Sequence, residues 1–175
     1  MFLILAAAVF AQAQADEWID YSSEGGKFSV LLPGEPTPNT INSEIQPKDA
    51  KTGEPLGKKI TFTYNDITSK DGRAFYLVGW VDYQAGFNFD PKGELAANRD
   101  NFISELGATL VSQKPIRLGA YDGLEFVAEK APNANIKGRV YIIGKRPYIL
   151  IALTFDKEDN DADKFFDSFK LNRKK

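Results

Sequence analysis

The residue types that most often catalyse reactions and hold metals are missing from this sequence of 175 residues, which contains no histidine and no cysteine. Histidine is the commonest general acid–base side chain near neutral pH, and both residue types dominate zinc sites. A Ser-His-Asp triad, a Cys-His pair, a zinc site with imidazole or thiolate ligands and a disulfide are therefore excluded. Carboxylate, lysine, arginine, tyrosine and hydroxyl chemistry remains, and we expect no metal and no cofactor.

One candidate binding segment is the polar stretch 84–91, which contains Phe87 and Phe89 between a glycine and a proline. Two phenylalanines two residues apart in such a loop would form an apolar patch if both were exposed. The alternative is that one or both rings fold under the edge of a sheet and cover the core, and this packing role is the one that we favour.

A second candidate is a predicted hairpin that contains Arg139, Tyr141, Arg146 and Tyr148. Arg139 and Tyr141 lie two residues apart on one strand, so their side chains share a face of the sheet. Together the four residues would line a shallow surface for an anion or a partner. The alternative, which we favour, is cross-strand packing of arginine against tyrosine.

Carboxylates are the remaining catalytic candidates. The acidic stretch 156–163 resembles a calcium loop only poorly, because an EF-hand loop starting at Asp156 would have Asp161 where glycine is required. Carboxylates at the start of a helix stabilise its dipole, and this explains the stretch better. A catalytic carboxylate pair cannot be located in the sequence, because the separation of its members is a three-dimensional quantity.

These candidates depend on a predicted series of strands interrupted by one long helix. Alternating or continuous apolar patterns predict strands at 18–21, 28–32, 39–45, 59–64, 74–81, 108–118, 124–129, 139–143 and 148–155. Helices are predicted at 94–106 and 161–168, the second with Phe165 or Phe166 and Phe169 against the sheet. Strands 74–81 and 148–155 are apolar on both faces, which predicts central strands covered on both sides. The fold class predicted is α+β, an antiparallel sheet with the two helices packed on it.

The first fifteen residues have the pattern of an export signal. An apolar run at 2–10 is too short to span a bilayer, and Ala-x-Ala sites end at Ala13 and Ala15. We therefore expect a signal peptide at 1–15, a single domain at 16–175 and an exported protein, periplasmic or extracellular. The mixed charge, −2 net, argues against a nucleic-acid partner, and we expect a monomer that does not insert into a membrane.

Five stretches follow one another in a fixed order: Phe28-x-Val30-x-x-Pro33, Asn98-Arg99-Asp100, Gly123-Leu124-Glu125-Phe126, Arg139-x-Tyr141-x-x-Gly144-x-Arg146-x-Tyr148 and Phe165-Phe166-Asp167-Ser168-Phe169. In this order and spacing they resemble the PsbP-like, or Mog1/PsbP-like, family and in particular its exported bacterial members of unknown function. The resemblance implies an α/β/α sandwich and a non-enzymatic module. It implies no catalytic or ligand residue for this chain.

Three functions follow from these observations. The first is an exported binding or accessory protein of PsbP-like type with an unknown protein or envelope partner. The second is a carboxylate-dependent hydrolase that acts on envelope or extracellular polymers, which would require two converging carboxylates with strongly shifted pKa values. The third is a subunit that only stabilises a larger assembly. We expect the first, and therefore expect that the protein is not an enzyme.

Overall fold

A computed structural model describes residues 18–46, 52, 54–55, 59–70, 74–87, 90–155 and 161–172. It contains ten strands and two helices in this part of the chain. The strands are β1 (Trp18–Ser23), β2 (Phe28–Pro33), β3 (Thr37–Ile45), β4 (Ile60–Lys70), β5 (Ala74–Tyr83), β6 (Thr109–Leu118), β7 (Tyr121–Lys130), β8 (Ala134–Ile143), β9 (Arg146–Thr154) and β10 (Lys170–Leu171). The helices are α1 (Pro91–Leu106) and α2 (Asp161–Ser168).

Seven strands form one antiparallel sheet in the order β3-β4-β5-β9-β8-β7-β6. The sheet consists of two meanders, β3-β4-β5 and β6-β7-β8-β9, which meet where β5 pairs with β9. Helix α1 connects β5 to β6, the edge strand at the opposite end of the sheet from β3. Asp90 caps its N-terminus by accepting hydrogen bonds from two backbone N–H groups, and Gly107 ends it in the left-handed conformation that glycine adopts without strain.

One face of the seven-stranded sheet is covered by α1, which contacts β7, β8 and β9. Successive side chains of a strand point to opposite faces, so every second side chain of each strand points into the apolar layer beneath α1. The buried members of the cluster are Leu77, Ile103, Phe126, Ala128, Ile136, Val140, Ile149 and Ile151.

The opposite face is covered by a three-stranded sheet, β1-β2-β10, together with α2. Phe28, Val30 and Leu32 of β2 are almost completely buried, and they pack against the side chains of β5 and β9 that point away from α1. Strand β10 follows α2 and pairs with β2, so the end of the described chain closes the small sheet.

The prediction of an α+β fold of the α/β/α sandwich type is wrong. The described residues form a mostly β structure of two antiparallel sheets, with only two short helices. The first two strands were predicted from the sequence, but the sheet to which they belong was not. Strands β1 and β2 pair with each other, and β2 pairs with β10, instead of joining the main sheet. Three strands therefore occupy most of the layer that the sandwich would give to helices.

Other predictions about the elements are confirmed. Strands β5 and β9 are central and have apolar clusters on both faces. Phe165, Phe166 and Phe169 are all buried in the cluster beneath the small sheet. The predicted signal peptide lies outside the described residues.

Candidate functional site

The two tyrosines of the predicted hairpin surface lie in the core. Tyr141 on β8 and Tyr148 on β9 are direct cross-strand partners and are both almost fully buried. Phe169 packs against both rings, with its centroid 6.2 Å from that of Tyr141 and 6.0 Å from that of Tyr148. Burial raises the pKa of both phenols, although the charges of nearby arginines act in the opposite direction. Neither ring is placed to meet a partner in solvent.

Arg139 belongs to an ion-pair network between β7, β8 and α2. Its Nε donates to the Glu125 carboxylate at 2.8 Å, its Nη1 donates to Asp167 at 3.1 Å, and its guanidinium lies 4.9 Å from the centroid of the Phe166 ring. Lys114 is the second cation on Glu125, at 2.8 Å. Burial acts to raise the pKa of the Glu125 carboxyl, but hydrogen bonds from these two cations outweigh it and hold that pKa below its usual value.

Arg146, the first residue of β9, joins the two sheets. Its Nε lies 2.7 Å from Oδ1 of Asp82 on β5, and its Nη1 donates to the Gly25 carbonyl at 2.9 Å. The Tyr148 hydroxyl donates to the next carbonyl, that of Gly26, at 2.8 Å. The turn between β1 and β2 is thereby fixed to the main sheet, while one fifth of the Arg146 side chain stays accessible.

The loop after β5 places Phe87 against the strand that it follows. The Phe87 ring stacks on Tyr83 with a centroid distance of 4.2 Å and is half-buried. The Tyr83 hydroxyl donates to Glu94 of α1 at 2.7 Å, and burial together with this carboxylate raises the pKa of the phenol above its usual value. Phe89, the other predicted residue of this loop, lies outside the described residues.

The two predicted binding segments meet at one cleft, although their residues are far apart in sequence. A cavity of about 330 Å³ is lined on one side by the end of β5 and the loop after it, and on the other side by the turn before β9 and its first residue. The lining residues are Asp82, Tyr83, Gln84, Ala85, Gly86, Phe87, Lys145 and Arg146. Phe87 and Arg146 therefore line the same cleft. Arg139, Tyr141 and Tyr148 do not line it.

A second, larger cleft of about 830 Å³ shares Asp82, Tyr83 and Gln84 with the first. It lies on β3, β4 and the end of β5, where the strand register places polar residues side by side. Asn42, Thr63 and Asp82 form one row across the three strands. Glu44, Thr61 and Gln84 form the next row, and the Thr61 hydroxyl donates to the Gln84 side chain at 2.8 Å. We call the residues that line the two clefts the β5-end surface.

The sequence analysis missed the polar residues of this surface. Apolar and polar residues alternate in 59–64, and the polar side, which contains Thr61 and Thr63, indicated a solvent-exposed face. Nothing in that pattern indicated that Asp82 would lie beside Arg146, because the two are 64 positions apart. Their proximity follows from the pairing of β5 with β9.

Within the described residues, no group of three or more carboxylates is arranged to hold a metal ion. Neither described helix is long and apolar enough to span a bilayer. The sequence matches no protein-family model and no curated protein, so the resemblance to the PsbP-like family stays a prediction.

Proposed function

We propose that the protein acts by binding a ligand or partner at the β5-end surface and that it catalyses no reaction. One observation carries the proposal: the loop that contains Phe87 and the start of β9 at Arg146 line one cleft, which shares three residues with a second, polar cleft. Small-molecule sites are concave and of about 300–1,000 Å³, and a few converging polar groups in them fix the orientation of the ligand.

The state of the most buried charged residue supports binding over catalysis. Glu125 is the one charged residue that is buried in the described part of the chain, and two cations lie against its carboxylate. Its lowered pKa suits a permanent ion pair and does not suit a proton donor near neutral pH. The carboxylate-dependent hydrolase is therefore not our proposal.

Export to the periplasm or the extracellular space is part of the proposal. It is supported by the apolar run at 2–10 and the two Ala-x-Ala sites that follow it. The accessory role, which the PsbP-like resemblance implies, is consistent with a binding surface made from a rigid sheet and one loop. We propose that the exported protein is a monomer with a partner in the envelope and that it binds no nucleic acid.

A steric block of the smaller cleft tests this function. Ala85 is an exposed side chain on the loop side of the cleft, so Ala85→Trp would fill the cleft without removing an existing contact. Wild-type and variant proteins would be immobilised at equal density and exposed to solubilised envelope from the source organism. We expect the wild-type protein to retain a saturable partner and the variant to lose it.

A matched control comes from another exposed alanine in a turn. Ala120 lies between β6 and β7, outside both clefts, so Ala120→Trp adds the same surface without blocking the site. Equal retention by wild type and both variants would show that binding occurs elsewhere. Absence of any saturable partner would remove the proposed function.

A further inference from the structure

In the described part of the chain, the seven-stranded sheet has two edges, and only one of them has features that block pairing with another chain. A free edge presents unpaired backbone N–H and C=O groups, which proline, bulges and lysine commonly protect. Edge strand β6 contains Lys114, Pro115 and a register shift near its start. Edge strand β3 pairs with β4 in an unbroken register, and its only proline is Pro38, at its second position.

The unprotected part of β3 is long enough to pair with a further strand. Residues 39–45 contain neither proline nor lysine, and the side chains of 39–44 are all exposed. Strand β4 pairs with one side of β3, and no other strand of the described residues pairs with its other side. Because every second residue of an edge strand directs both its N–H and its C=O outward, this stretch offers a ladder of about three residues or more.

The two faces of the sheet beside this edge differ in chemistry. Ile41 is 49% exposed and stands in one row with Tyr64 and Val81. This row lies on the α1 side of the sheet, because a Cβ added at Gly79 would meet both Tyr64 and Ile149 of the cluster beneath α1. On the opposite face, β3 and β4 are joined by hydrogen-bonded pairs of polar side chains. A strand added to this edge would therefore need alternating apolar and polar side chains.

The charge and the sequence of β3 favour a segment of another protein over a second copy of this chain. Glu44 is the only charged residue of β3, and Lys59 neutralises it at 3.1 Å, so the edge favours a segment with little net charge. Antiparallel pairing of two copies over all of residues 39–45 would place Ile41 of each copy opposite Ser43 of the other. The exposed isoleucine would then face a hydroxyl, whereas a segment of another protein can supply an apolar side chain there.

We propose that the partner in the envelope is a polypeptide that adds an extended segment, with alternating apolar and polar residues, to the free edge of β3. The inference rests on the proposed function, because Asn42, Ser43 and Glu44 of this edge strand line the larger cleft of the β5-end surface. In strand addition, main-chain hydrogen bonds supply affinity and alternate side chains supply specificity. Here the side chains that contact Ile41 and its row supply the specificity.

Calorimetry of the full chain with a synthetic peptide tests the inference. The probe is the chain's own β4 sequence, residues 60–70 with both ends capped, because it alternates Phe62 and Tyr64 with threonines and pairs with β3 in the fold. We expect this peptide to bind, to slow amide hydrogen exchange at residues 39–45 and to displace the partner retained from solubilised envelope. Ile41→Lys should weaken peptide binding by about tenfold or more, because an apolar contact is lost and an edge lysine opposes pairing.

The control is an exposed apolar residue on the other edge strand. Val111 of β6 is 56% exposed, so Val111→Lys adds the same charge outside the proposed site and should leave the affinity unchanged. Absence of peptide binding, equal affinity of the wild type and Ile41→Lys, or equal binding of a scrambled peptide of the same composition would overturn the inference. A wild-type dimer in sedimentation that Ile41→Lys dissociates would also overturn it, in favour of a second copy. If envelope capture still depended on position 85 in those cases, binding at the β5-end surface would stand and only strand addition would fall.

Discussion

Phe165 packs helix α2 against the main sheet, and truncation of this side chain tests that packing. Phe165 is completely buried, and its ring lies 5.2 Å from that of Tyr76 on β5 and 5.1 Å from that of Phe166. Truncation of a buried phenylalanine to alanine costs about 3–5 kcal/mol. Because two aromatic pairs would also be lost, we expect a value in the upper half of that range for Phe165→Ala.

Thermal unfolding followed by circular dichroism measures this cost. At about 2–4 °C per kcal/mol for a domain of this size, a loss of about 4 kcal/mol lowers the midpoint by roughly 8–16 °C. Phe155→Ala is the matched control, because the same atoms are removed from a side chain that is 64% exposed. That variant should change stability by no more than about 0.5 kcal/mol. Equal midpoints for Phe165→Ala and Phe155→Ala would refute the packing of α2 on the sheets.

Three further predictions concern single contacts. Glu125→Gln should lower the free energy of unfolding at pH 7 by about 1–3 kcal/mol. In chemical denaturation, the difference in this free energy between variant and wild type should shrink as the pH falls below 4.5, because protonation of the carboxylate removes the same ion pairs from the wild type. Tyr148→Phe should cost about 1–2 kcal/mol by the same assay, since the buried hydrogen bond to the Gly26 carbonyl is lost; an unchanged midpoint would contradict that bond. Gly138→Ala should destabilise by about 1–3 kcal/mol or more, because its Cβ would clash with the Phe126 ring, and a neutral result would disprove this close packing.

The parts of the fold that follow from local pattern were predictable from the sequence. Strand β5 is apolar at successive positions, so cover on both faces was expected, and Tyr76 and Leu77 indeed belong to the two opposite clusters. The edge position of β6 agrees with its Pro115, which cannot donate a hydrogen bond in a central strand. These features depend on residues a few positions apart.

The parts that failed depend on distant pairing. The start of β8 was not predicted as a strand, because Asn135 and neighbouring residues favour turns locally, yet it pairs on both sides within the sheet. The contact of β10 with β2 joins residues more than 140 positions apart and makes the small sheet that overturned the sandwich prediction. The candidate site could not be predicted for the same reason. Asp82 and Arg146 lie side by side only because β5 and β9 are neighbours in the sheet.

Photo-crosslinking in the native envelope tests most directly whether the β5-end surface is the binding site. A photoreactive amino acid would be placed at Ala85, on the rim of the smaller cleft, and in a second protein at Ala120, an equally exposed turn outside both clefts. Binding at the β5-end surface predicts a discrete crosslinked product from position 85 and none from position 120. The same products from both positions, or a product from position 120 alone, would contradict it.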